Sequence, residues 1–142
     1  MFRIVLALVL LTLPALADAV DPHAVQVVDG DTVRVEGQPY RLVGFDAPET
    51  YRAQCSSERE LGNRATFRLR QLVAGGGVDL QRVPCSCRAG TVEGTPSCNY
   101  GRFCAVLTVR GKDVGPMLIT EGLARPYECG PRGCPPRKPW CD

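Results

Sequence analysis

Histidine is nearly missing from this chain: His23 stands alone among 142 residues, which removes the imidazole ligands on which many zinc centres draw. A strong charge of either sign is lacking too. Seventeen Lys and Arg face 15 Asp and Glu, a net +2, too small an excess to require or to exclude a nucleic-acid partner, so charge has to be judged by position. No internal repeat is visible, and beyond residue 17 no run is long and apolar enough to span a membrane.

One apolar run does exist, at residues 4–13, behind Arg3 and ahead of Ala15-Leu16-Ala17. It is shorter than the roughly 20 residues of a spanning helix and ends in a small-residue cleavage site, so residues 1–17 read as a secretory signal peptide cut after Ala17. The expected location is secreted or periplasmic. Removal of the leader would leave 125 residues and a net charge of +1, a length that suits one domain and is short for two cores.

Cysteine, by contrast, is plentiful, with Cys55, Cys85, Cys87, Cys98, Cys104, Cys129, Cys134 and Cys141 all beyond the leader. An even count behind a signal peptide reads as disulfides formed in an oxidising compartment. Zinc is the rival, but Cys85-Ser86-Cys87 has C-x-C spacing rather than the commoner C-x2-C, and thiolates would have only His23 to join them. Eight cysteines allow 105 pairings, so the connectivity is not readable.

Residues 24–28, 32–35 and 40–45 are β-rich runs separated by Asp29-Gly30 and by Glu36-Gly37-Gln38-Pro39, which predicts three antiparallel strands on short turns. A helix is expected next, capped by Ser56 or Ser57 and stopped at residues 75–77, with Leu61, Ala65, Leu69, Leu72 and Val73 as its buried stripe. Phe67 falls off that stripe without explanation. Residues 78–83 and 103–109 predict a fourth and a fifth strand, separated by a Cys-, Gly- and Pro-rich excursion. Asp113 can cap a short helix over 114–121. The expected organisation is an extension at 18–23, one domain at 24–127 and a Pro/Cys-rich tail at 128–142, pinned over the domain by disulfides. Mainly β with α is the fold class: a five-stranded OB-type Greek-key barrel with one long and one short helix.

Four acids in a short window carry the chemistry: Asp29 and Asp31 at the first turn, Asp46 and Glu49 after the third run. If strands two and three turn near Gly37 and Gln38, paired residue numbers sum to about 75–77, which sets Asp31 opposite a residue close to Asp46. Two carboxylates that close repel unless a cation neutralises them, and an oxygen-only cluster favours a hard ion, Ca²⁺ or Mg²⁺. Arg41 shares a strand face with Val43 and Phe45, an odd place for a guanidinium without an anionic partner. With Arg102 it forms a pair of forks suited to phosphate oxygens. Glu49 can position or deprotonate a water for in-line phosphodiester hydrolysis.

The run Asp29-Gly-Asp-Thr, the stretch Arg41-Leu-Val-Gly-Phe-Asp-Ala-Pro-Glu49, the triplet Tyr100-Gly-Arg102 and the later Glu121-Gly-Leu-Ala124 resemble the staphylococcal nuclease-like (thermonuclease) family in order and spacing. The resemblance covers residues 27–127 and implies a five-stranded OB-type barrel with helices and a Ca²⁺-dependent nuclease acting on DNA and RNA, with 3′-phosphate products; the chain is expected to be a monomer. Matched by position, Asp31, Asp46 and the backbone carbonyl of Ala47 would bind calcium, with Asp29 and Thr32 near the ion. Arg41, Arg102 and Glu49 would be catalytic, and Tyr100 would line the nucleotide-binding wall. Three departures stand out: the Cys85 to Cys98 excursion, a Pro/Cys-rich tail where the type enzyme has a final helix, and eight cysteines where it has none. Two other readings stay open, a non-catalytic OB-type module that binds nucleic acid or protein, and a stapled secreted domain that binds calcium for stability alone.

Overall fold

The computed structural model describes residues 19–142, so the expected leader at 1–17 lies outside the described residues. After a short 3-10 turn at Pro22–Ala24, the chain forms β1 (Val25–Asp29), β2 (Thr32–Val35), β3 (Gln38–Leu42) and β4 (Gly44–Asp46). Then come α1 (Ser56–Ala74), β5 (Val78–Val83), a second 3-10 turn at Asn99–Gly101, β6 (Phe103–Val109), β7 (Lys112–Asp113), α2 (Val114–Thr120) and β8 (Arg125–Tyr127). One mixed sheet runs in the order β1-β2-β3-β6-β5, with β7 added beside β6, and a separate small sheet pairs β4 with β8.

The mainly-β character, the two helices and the stapled tail agree with the sequence reading, but the strand count differs: eight form among the described residues where five were expected. The run at 40–45 divides because Gly44 takes φ +89, a conformation open to glycine at no steric cost. Its first part stays in the main sheet, where β3 pairs in parallel with β6, and its second turns away to pair with β8. The β2–β3 hairpin also closes earlier than expected. Glu36 and Gly37 both sit at positive φ, the two-residue turn that matches strand twist, so Thr32 faces Arg41 and Val35 faces Gln38. The pairing therefore sums to 73 rather than 75–77, and Asp31 meets Leu42, whose amide donates to the Asp31 carbonyl at 2.8 Å.

Helix α1 begins after Cys55, whose side chain makes no capping hydrogen bond; neither Ser56 nor Ser57 is the cap. Ala65, Leu69, Leu72 and Val73 of the expected stripe are buried against Val33, Leu42, Leu107 and Leu118, while Leu61 is only half-buried. Phe67 is 61 % exposed, which accounts for its place off the stripe. Asp113 caps α2 as expected, its carboxylate accepting from the Gly115 amide at 2.9 Å. Among the described residues no helix is long and apolar enough to cross a membrane.

All eight cysteines pair, as Cys55–Cys141, Cys85–Cys104, Cys87–Cys98 and Cys129–Cys134, which leaves no thiolate for zinc. Cys85–Cys104 lies at the end of the β5–β6 ladder, and Cys87–Cys98 closes the excursion that follows. Cys55–Cys141 ties the last residues of the chain to the start of α1, across 86 positions.

Gly62 brings α1 against the loop that carries the acids. A Cβ there would come within 2.5 Å of the Glu49 carbonyl oxygen and 2.8 Å of that of Pro48. Both are backbone atoms, which yield less readily than a side chain. Gly62→Ala is therefore expected to destabilise the fold by about 1–3 kcal/mol as an overpacked contact, despite the roughly 1 kcal/mol that alanine contributes inside a helix. Urea unfolding measures this, and an unchanged or raised midpoint would show that the helix and the loop do not constrain each other.

Candidate functional site

The first turn places Asp29 and Asp31 at the edge of the main sheet, where the Asp31 amide donates to Asp29 Oδ1 at 3.1 Å. Burial first, and then the Asp31 charge, push the Asp29 carboxyl up to about 6. Asp31 itself is buried. Its Oδ1 accepts from the Thr32 hydroxyl at 3.2 Å and its Oδ2 from the Ala47 amide at 2.9 Å. This second bond joins the first turn to the strand carrying Asp46, so the acids converge through the bend at Gly44 rather than by facing each other across a hairpin.

Arg41 lies beneath them, also buried. Its NH2 is 3.0 Å from Asp31 Oδ2 and 3.7 Å from Asp46 Oδ1. Its N–H groups also donate to the carbonyls of Asp31, Leu42 and Phe45 at 3.3, 2.6 and 3.1 Å. The anionic partners sought for Arg41 in the sequence are thus the two aspartates, and the same guanidinium braces three backbone carbonyls, in the first turn, at the end of β3 and in β4.

Arg102 approaches from the start of β6. It donates from NH1 to the Thr32 hydroxyl at 3.2 Å, from Nε to the Asn99 carbonyl at 3.2 Å, and from NH2 to the Asn99 side chain at 2.9 Å. Burial, and next the Arg41 charge, pull its guanidinium below the ordinary arginine value. Just before it, Asn99 and Tyr100 hold φ +52 and +57, an uncommon conformation for residues with a side chain. The turn leaves Tyr100 80 % exposed, with Arg102 5.7 Å from its ring centre.

Glu49 is held from below. Glu58, buried in the first turn of α1, accepts from the amides of Glu49 at 3.3 Å and Gln54 at 2.8 Å. The sequence reading left Glu58 out of the site, although an acid in a helix's first turn can bond to a preceding loop.

Asp46, 1 % exposed, collects partners that the sequence reading missed. Opposite it in the β4–β8 pair stands Arg125, whose NH2 lies 3.2 Å from Asp46 Oδ2. Trp140 donates its indole N–H to the same oxygen at 3.1 Å, and Arg125 stacks on the Trp140 ring at 3.9 Å. Arg137 completes the set. Its Nε is 3.1 Å from Asp46 Oδ1, its NH1 2.7 Å from Glu49 Oε1 and its NH2 4.0 Å from Asp31 Oδ2. Burial lowers the Arg137 guanidinium, but Asp46, Asp31 and Glu49 override it and hold the group above its ordinary value.

One planar group therefore spans all three acids, which sets them around a single point. Among the described residues, Asp46 Oδ1 is one of two buried side-chain oxygens without an aligned donor. A buried carboxylate oxygen with spare acceptor capacity, beside a second carboxylate, fits a hard cation bound through oxygen. A cleft of about 1020 Å³ is lined by Asp29 and Glu49, by Arg41, Arg102 and Tyr100, by the Cys85–Cys98 excursion and by the tail from Cys129 to Arg137, with Asp31 and Asp46 behind this lining.

Clustered acids, the arginines that reach among them and an exposed tyrosine are thus gathered in one region. Residues 39–138 match the family model described as staphylococcal nuclease homologue, and the chain belongs to that family. The SPbeta prophage-derived endonuclease YokF of Bacillus subtilis (strain 168) is 32 % identical over 112 residues, which take in 76 % of this chain and 34 % of that protein. The chain thus spans about a third of the relative it matches. The family resemblance read from the motifs is borne out.

Removing the Glu58 carboxylate should loosen the loop before it touches the acids. Glu58→Ala is expected to cost about 1–3 kcal/mol by stranding two amides and to speed hydrogen exchange at Glu49 and Gln54 selectively. Unchanged protection at both amides would exclude this bracing role.

Proposed function

We propose that this protein is a secreted nuclease that hydrolyses phosphodiester bonds of DNA and RNA with a divalent cation, Ca²⁺ on the family resemblance, to leave 3′-phosphate ends. The observation that carries the reading is the convergence of Asp31, Asp46 and Glu49 on one guanidinium, with Arg41 and Arg102 at the same cleft. The family membership and the endonuclease relative support it.

Asp31 and Asp46 would hold the ion, with the Ala47 carbonyl beside them and Asp29 and Thr32 behind; the Ala47 amide already donates to Asp31 Oδ2. When bound, the ion supplies positive charge to a phosphoryl oxygen. The rest falls to the chain. Arg102 uses three of its five N–H groups on Asn99 and Thr32, which leaves donors for a phosphate. Arg41 keeps positive charge under the same phosphate as negative charge grows on it. Glu49 orients a water and takes its proton as the water attacks phosphorus, and the 5′ oxygen leaves opposite. Tyr100 offers its face to a base or sugar. The chain acts as a monomer outside the cytoplasm, and the four disulfides support that oxidising location.

Degradation of single-stranded DNA and of RNA by the oxidised chain tests this in excess Ca²⁺ and in excess chelator. Cleavage should require the metal, and Glu49→Gln and Arg102→Ala should each lower kcat by roughly two to three orders of magnitude, as expected for lost transition-state contacts. Arg41→Ala should abolish cleavage and also destabilise the fold by about 3–5 kcal/mol, because it strands buried acids. Full activity in chelator, or none from folded wild type in Ca²⁺, would overturn the proposal.

A further inference from the structure

The tail does more than cover the fold, because its course delivers one side chain to the centre of the acids. Two sets of anchors hold the segment on either side of Arg137. Before it, the Tyr127 hydroxyl donates to the Pro135 carbonyl at 2.7 Å, and Cys129–Cys134 closes the preceding loop. After it, Arg125 donates to the carbonyls of Lys138 and Pro139, Trp140 bonds Asp46, and Cys141 is bonded to Cys55. The guanidinium between these anchors lies against Asp31 Oδ2 and Asp46 Oδ1, carboxylate oxygens of the two residues read as ion ligands.

Charge settles what this contact means. Asp31, Asp46 and Glu49 are matched one for one by Arg41, Arg125 and Arg137. A dication added to that balanced set would bring an excess of two positive charges into a largely buried site, where like charges are poorly screened. One arginine must then withdraw. Arg41 is buried under the strands and tied to three carbonyls, and Arg125 is fixed by strand pairing opposite Asp46. Arg137 has the most exposed side chain of the three, at 38 %, and sits in a segment without regular structure apart from one isolated bridge.

We propose that Arg137 is a built-in occupant of the cation site, and that docking of the stapled tail and binding of a divalent cation exclude each other. The inference rests on the metal-dependent reading above and adds a means of restraint to it. Because the tail is tethered, Arg137 competes at the effective concentration of an intramolecular group, and the apparent affinity for the ion is reduced by the fraction of molecules in which the tail is docked.

Trp140 provides a readout that does not depend on catalysis. It is the single tryptophan of the chain, and its indole bonds Asp46 while Arg125 covers its ring. Ca²⁺, and separately Mg²⁺, is titrated into the oxidised chain by calorimetry while Trp140 emission is followed. Wild type should bind Ca²⁺ with an emission change of the same midpoint. Arg137→Ala and Arg137→Gln should bind about tenfold more tightly or better, as for an open state populated near one tenth. A Cys55→Ser/Cys141→Ser double variant, if folded by circular dichroism, should shift in the same direction. Equal or weaker binding by both Arg137 variants overturns the proposal while leaving the metal site standing, as does wild-type binding that leaves Trp140 emission unchanged. Absence of binding in wild type and both variants overturns the proposal and the metal-dependent reading together.

Discussion

Asp46 is a carboxylate with almost no access to water, and burial of such a group demands compensation close at hand. Much of the unusual structure in this chain answers that demand. The bend at Gly44 turns β4 out of the main sheet, and β8 then pairs with it so that Arg125 lands opposite Asp46. Trp140 supplies a neutral donor to the same oxygen, and Arg41 and Arg137 approach the other. Even so, Oδ1 retains no aligned donor. The set of arginines supplies charge at the right distance without exhausting the acceptor, which is the condition a site needs if a cation of another kind is to enter.

The disulfides fit the same constraint. The tail from residue 128 onward contributes no residue to the hydrophobic core, and most of it is exposed; Trp140 packs on Arg125 instead. Such a segment cannot hold itself in place by burial. Cys55–Cys141 ties it to the residue before α1, and α1 also supplies Glu58 to brace the acid-bearing loop and Gly62 to let that loop approach. One helix thus organises both the loop that carries Glu49 and the segment that carries Arg137. A bridge of this separation stabilises chiefly by limiting the unfolded chain, on the order of 2–4 kcal/mol, and here it also sets where a charged side chain can reach.

What could be read from the sequence was local. Asp29, Asp31, Arg41, Asp46 and Glu49 lie in one short window whose turns and alternation carry their own signals, and the fold brings them near one another. The mechanism of convergence was misread: a tight Glu36-Gly37 turn shifted the register, and the Ala47 amide rather than direct strand opposition brought Asp31 to Asp46. Arg125 and Arg137 were invisible for a different reason. Each is an ordinary arginine in a Pro-rich stretch, and its meaning depends on a strand pairing across 79 positions or a disulfide across 86. Period and turn chemistry describe neighbours; they do not specify which of 105 cysteine pairings brings a tail home.

Substrate closes the electrostatic argument. On the proposed reading, withdrawal of Arg137 leaves the three acids facing Arg41 and Arg125, one negative charge in excess, while Asp29 and Arg102 offset each other nearby. A dication turns that excess into one positive charge, and a single phosphodiester then restores neutrality. If Arg137 stayed, ion and phosphate together would leave the site positive by one charge. The assembled state with ion and substrate is therefore balanced only when the tail has moved, and the resting state is balanced only when it has not. Two neutral configurations with different occupants, separated by a charged intermediate, make the displacement of Arg137 and the arrival of ion and phosphate mutually dependent.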